Sequence, residues 1–173
     1  MSQWDHVDYL DEYRVVGGVP KFQRTVLKLK RPYFNHTGFQ SAVWSPELHT
    51  LVLALGDGGS EYDPNNLAQD DRQLSGKLVR IDLEALHGWD ASGKAPVATF
   101  ADLKGQGAPS GAFMAIAKGL RNPSKMHHEL MAGHGDDGKD DGKEKRWIKY
   151  LANTGQDTIE MIHAFDDYGV NLG

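Results

Sequence analysis

Residues 51–82 read LVLALGDGGSEYDPNNLAQDDRQLSGKLVRID. Two apolar-rich segments, Leu51–Leu55 and Lys77–Asp82, bracket a stretch dense in turn chemistry. Gly56-Asp57-Gly58-Gly59 gives access to positive φ, Asp63-Pro64 fixes φ, and Asn65-Asn66 supplies local hydrogen bonds. Short aliphatic runs bounded by such punctuation predict strands joined by an ordered loop.

The alternation continues outward. Upstream, strands are predicted over Leu10–Val16, Thr25–Leu29 and Phe39–Trp44. Downstream they are predicted over Val97–Phe100, Phe113–Ala117, Trp147–Leu151 and Thr158–His163. Gly17-Gly18, Ser45-Pro46 and Asn122-Pro123 mark turns between them. Leu74–Leu86 has some helical character, but Gly76 and its β-branched residues favour strand, with one turn of helix at Leu83–Leu86. Ala112–Leu120 fits either period. The fold class read from this pattern is all-β. Gly133–Lys145 (GHGDDGKDDGKEK) has four glycines and no apolar residue, which predicts a flexible hydrophilic insertion at the surface.

The 173 residues are a length typical of one domain, here 1–173. A net charge of −5 without a basic block argues against nucleic acid or an anionic membrane as partner. Neutral sugars and divalent cations remain compatible with such a surface. There is no cysteine, so disulfides, thiolate metal sites and cysteine nucleophiles are excluded. Any redox chemistry must ride on a cofactor. No apolar stretch approaches the ~18 residues that span a bilayer. Met1-Ser-Gln-Trp-Asp-His lacks the pattern of a secretory signal, and the compartment is left unassigned.

Four blocks, in order, resemble the soluble pyrroloquinoline-quinone (PQQ) sugar dehydrogenases of the glucose/sorbosone dehydrogenase family. They are Phe34-Asn35-His36-Thr37-Gly38, the 53–82 run, Gly119-Leu120-Arg121-Asn122-Pro123, and Asn153-Thr154-Gly155-Gln156 with Tyr168-Gly169-Val170-Asn171-Leu172-Gly173. Each block is weak alone; their order is what carries the resemblance. It implies about half of a six-bladed β-propeller built of four-stranded antiparallel blades. At ~40–50 residues per blade the chain supplies roughly three. It ends within a motif that the family continues with Trp-Pro, before the later blades that carry Lys and Arg clamps for the cofactor's carboxylates.

The implied activity is oxidation of a sugar hydroxyl by hydride transfer to PQQ with Ca²⁺. His36 takes the part of catalytic base, a task suited to an imidazole because that group titrates near neutrality. Arg121 stabilises charge developing on the reduced quinone. Asn122, Thr154 and Gly155 are implied cofactor contacts, and the carbonyls of Gly155 and Gln156 the implied Ca²⁺ ligands. Asn35 stands where the family often has aspartate, and is expected to orient the imidazole without adding charge. His36, Arg121 and Gly155 are expected near one central face. Taken alone, His36 reads as a turn histidine and Arg121 as a turn residue in a surface ion pair.

The second function class is a truncated, non-catalytic propeller module that binds a partner protein, ligand or cation. A homo-oligomer or a completing second chain would cover the open faces. Two metal readings fail on spacing. In Asp137–Ile148 an EF-hand would need ligands where Lys139 and Ile148 stand. His127, His128 and His134 lack a supporting carboxylate or thiol and read as a solvated loop.

Overall fold

The computed structural model describes residues 6–36, 39, 41–132, 145–155 and 160–173. Among them the chain is mostly strand. In order come β1 (His6–Val16), β2 (Val19–Arg31), β3 (Ser41–Ser45), β4 (Thr50–Ala54), β5 (Lys77–Ile81), α1 (Phe100–Gly105) and β6 (Phe113–Lys118). β7 (Pro123–Met131), β8 (Arg146–Asn153), β9 (Met161–Phe165) and β10 (Val170–Asn171) follow. The all-β reading holds.

Three sheets result: the hairpin β1-β2, a sheet in the order β10-β6-β5-β4-β3, and the sheet β7-β8-β9. β3 to β6 form a four-stranded antiparallel meander, with β10 added in parallel at the β6 edge. The other two sheets have two and three strands among the described residues.

The meander lies between two cores, which explains why LVLAL reads as an unbroken apolar run. Period-two alternation sends Leu53 and its partner Val79 to one face, Ala54 and its partner Leu78 to the other. On the first face Leu53, Val79 and Ile81 meet Val26, Leu27 and Leu29 of β2, with Leu86, Trp89, Val97 and Leu103 of the 82–112 connection. On the second, Val52, Ala54 and Leu78 meet Met126 of β7, Leu151 of β8 and Phe165 of β9. Burying such side chains contributes about 1.5–3 kcal/mol each, so both faces anchor the central sheet.

One polar cluster ties the second and third sheets. Lys149 of β8 is fully buried. Its ammonium donates to Glu47, in the β3–β4 turn, at 3.2 Å and lies 4.2 Å from the centre of the Tyr168 ring. The Tyr168 hydroxyl donates to the same Glu47 carboxylate. Burial, then that bond, raises the Tyr168 hydroxyl well above the usual tyrosine range.

Two expectations are corrected. Val97–Phe100 is not a strand: Val97 and Thr99 make isolated bridges only, and the chain then enters α1. The reason is a reciprocal cap. Thr99 Oγ1 accepts from the Asp102 N–H at 3.0 Å, and the Asp102 carboxylate accepts from the Thr99 N–H at 2.9 Å. Thr99→Ala is therefore expected to cost about 1 kcal/mol, read as a lowered urea midpoint at unchanged slope. The turn of helix expected at Leu83–Leu86 is present: the Leu86 N–H donates to the Asp82 carbonyl four residues back at 3.2 Å, and the Asp82 carboxylate accepts from the N–H groups of Glu84 and Ala85. His127 and His128, read as loop, lie in β7 on opposite faces; His127 is exposed and His128 half-buried. Of the strand expected over Thr158–His163, residues 158 and 159 lie outside the described residues, and β9 runs over Met161–Phe165. Residues 133–144, most of the expected insertion and including His134, lie outside the described residues.

Candidate functional site

β4 and β6 run in the same direction on either side of β5, so their C-terminal ends share one edge of the sheet. The loops leaving that edge carry Asp57 and Arg121. The loop leaving β2 brings His36 beside them, and the end of β8 brings Thr154 and Gly155.

The loops fit closely. The Tyr33 N–H donates to the Gly58 carbonyl at 3.1 Å. Gly59 has φ +104, and a Cβ there would sit 2.6 Å from the Asn35 carbonyl oxygen and 2.7 Å from Tyr33 Cβ. Any side chain at residue 59 would force the two loops apart. This is the close-approach glycine of the site; Gly38, quoted with the histidine block, lies outside the described residues.

Asp57 is the hub. Its side chain is 2% exposed, and Oδ1 accepts from the Gly59 N–H at 2.9 Å and lies 2.8 Å from His36 Nδ1. An ionised carboxylate only accepts, which assigns the hydrogen to Nδ1 and makes Nε2 the basic nitrogen. The Asp57 backbone N–H donates to the Arg121 carbonyl at 2.9 Å. Burial raises the Asp57 carboxyl above the usual aspartate range, against the opposing pull of the Gly59 N–H and of His36.

Arg121 continues the chain of bonds. Its Nη1 donates to the Gly155 carbonyl at 2.8 Å and to the Thr154 carbonyl at 3.3 Å. The Thr154 N–H donates to the Asn122 carbonyl at 3.0 Å. The structure thus brings together His36, Arg121, Asn122, Thr154 and Gly155; Gln156 lies outside the described residues.

Orientation of the imidazole departs from expectation. Asn35 does not hold it: its side-chain oxygen accepts from the Ser60 N–H at 2.9 Å. Asp57 holds it, and supplies charge as well. Sequence reasoning placed Asp57 only inside a glycine turn. The available signal was a carboxylate set directly after a buried apolar strand and before two glycines.

Backbone strain concentrates here. Of six non-glycine residues with positive φ among the described residues, five are His36, Ser60, Tyr62, Asp63 and Asn66. Such conformations persist where surrounding bonds over-determine them, and they collect at functional sites. Lys77, 0% exposed, braces the loop from beneath by donating to the carbonyls of Leu67 (2.9 Å), Ala68 (3.0 Å) and Ser75 (2.9 Å).

A cleft of about 280 Å³ opens between Asp57, Tyr62, Asp63, Asn66, Gln69 and Arg121. Arg121 lines this cleft, and its Nε is buried without a hydrogen-bond partner among the described residues. A guanidinium at the wall of a cleft suits a ligand oxygen, such as that of a quinone or carboxylate. The Ca²⁺ reading fits less well. The Gly155 carbonyl already accepts from the Arg121 guanidinium, and a second cation on that oxygen would meet its positive charge. No group of three or more His, Asp or Glu side chains with metal-binding geometry occurs among the described residues. A larger open concavity of about 620 Å³ surrounds α1 and shares no residue with this constellation.

No family model matches the chain. HIPL1 protein of Arabidopsis thaliana is 30% identical over 74 residues, covering 43% of this chain and 10% of that protein. The aligned part is therefore a tenth of that relative's length.

Proposed function

We propose that this chain forms part of a quinone-dependent sugar dehydrogenase of the glucose/sorbosone type, with His36 as general base. The observation that carries the reading is the His36–Asp57–Arg121 constellation, assembled from loops that are far apart in sequence. Support for blades comes from the meander β3 to β6, which has the expected four-stranded form, and from the stacking of the three sheets face on face. On this reading the sheets amount to about half of a six-bladed ring.

Sugar oxidation needs a hydroxyl proton removed as the C–H hydride departs. His36 Nε2 takes that proton, and Asp57 stabilises the imidazolium that results. Arg121, at the wall of the cleft, stabilises negative charge that develops on an acceptor oxygen there. Pyrroloquinoline quinone, when bound, supplies the hydride acceptor. No step is assigned to Ca²⁺.

Exposed apolar surface favours a second reading, a binding module without catalysis. Tyr13, Val15, Val19 and Phe22 are exposed on the outer half of β1-β2, and Ile162 on β9 is 78% exposed. Such surface is suited to a partner protein, a second copy or a completing chain.

The full chain should be sedimented and titrated with the quinone, with and without Ca²⁺, alongside a dye-linked assay on aldoses. Saturable binding and aldose oxidation, both lost in Arg121→Ala, are expected. Self-association with neither binding nor turnover would reject the enzyme reading in favour of the second.

A further inference from the structure

His36 holds a left-handed φ of 48, a conformation that a non-glycine residue keeps only where its surroundings enforce it. The strained turn lies within five residues of Arg31, the last residue of β2, and Arg31 faces back into it. The Arg31 side chain is 6% exposed. Its Nη1 donates to the Tyr33 carbonyl at 2.7 Å and to the Asn35 carbonyl at 3.3 Å. The second carbonyl belongs to the peptide bond that enters His36. The rest of the guanidinium rests on Asp8 of β1, with Nη2 donating to Asp8 Oδ1 at 3.0 Å and Nε ion-paired to Oδ2.

A planar fork held at one side by a carboxylate has its other side fixed in direction. Lysine, a point charge on a flexible stem, pairs with Asp8 but does not span both carbonyls. We infer that Arg31 is a positioning residue for His36, locking the Tyr33–His36 turn so that the imidazole meets Asp57, with Asp8 aiming the guanidinium. Neither residue reaches the cleft or a reacting atom. The inference rests on the proposed role of His36, but its structural limb stands apart from turnover.

The test uses the full chain carrying Arg31→Lys, with Arg31→Gln as the second variant. The first readout is the long-range ¹H–¹⁵N spectrum of the His36 imidazole, assigned by its loss in His36→Ala. Wild type is expected to show the Nδ1-protonated pattern, and Arg31→Lys a tautomer mixture while the fold is retained by circular dichroism. The second readout is steady-state sugar oxidation. Here kcat is expected to fall about tenfold with KM held within about twofold, as for a misplaced base. If wild type oxidises no sugar, the functional reading fails and the imidazole spectrum alone decides the positioning role. An imidazole pattern unchanged in Arg31→Lys overturns the inference, whatever the variant's stability.

Discussion

His36→Ala is expected to lower the rate of sugar oxidation by about 10²–10⁴-fold while leaving quinone affinity close to that of wild type. A positioned base acts on the proton that moves in the transition state and adds little to ground-state binding. The structure sharpens that expectation. His36 Nδ1 is committed to Asp57 at 2.8 Å, so the chemistry falls to Nε2. Removing the ring also strips Asp57 of a neighbour that opposes the effect of its burial. Dye-linked turnover on aldoses, set beside a quinone titration, separates the two quantities. Turnover that persists at the wild-type rate would remove His36 from the mechanism.

Lys77→Met is expected to destabilise the chain by about 3 kcal/mol or more. The Lys77 side chain is fully buried and donates to three carbonyls, and methionine offers none of those donors. Each orphaned buried acceptor costs about 1–3 kcal/mol. Burial also pushes the Lys77 ammonium down to about 8 from its ordinary 10.5, although Asp71 and Asp70 oppose this. The sign of the pH dependence follows. Between those two values the unfolded chain binds the proton more fully, so this group makes stability rise with pH. Below about pH 8 the group is protonated in both states and contributes no slope. Urea unfolding of wild type and variant across that interval should show the difference widening toward alkaline pH. A loss under about 1 kcal/mol at every pH would mean that the carbonyls find other donors.

Much of the central sheet was legible. LVLAL is a continuous apolar run and KLVRID an apolar-rich one because each strand faces a core on both sides, and both ranges agree with the structure within a residue or two. β7 was not legible. Its sequence, PSKMHHELM, buries Pro123 and Met126 and leaves most of the rest exposed, so no alternation marks it. β10 pairs in parallel with a strand about fifty residues earlier, a contact for which local sequence holds no signal. α1 carries a sequence signal, Thr99-x-x-Asp102, but it sits beside the β-branched and aromatic residues of Val97–Phe100, which read as strand.

The site divides in the same way. His36, Arg121 and Gly155 stand out through ordered blocks, and a chain of hydrogen bonds connects them: Asp57 joins His36 to the Arg121 backbone, and the Arg121 guanidinium reaches Gly155. Asp57 itself was hidden, because a local pattern can show that a turn contains a carboxylate but not which loop will lie against it. Asn35 was given the orienting part by adjacency in sequence, whereas the fold gave that part to a residue 21 positions away. Adjacency along a chain is a poor guide to which groups share a proton.

Asp57 touches both halves of the constellation at once: its carboxylate holds the imidazole, while its own peptide nitrogen holds the backbone of Arg121. The distance from the imidazole to the Arg121 backbone is therefore a dimension of the scaffold, like the gap of a locked caliper, while the guanidinium at the end of that side chain is steadied separately by the Thr154 and Gly155 carbonyls. One buried aspartate thus sets the separation of two loops that lie far apart in sequence.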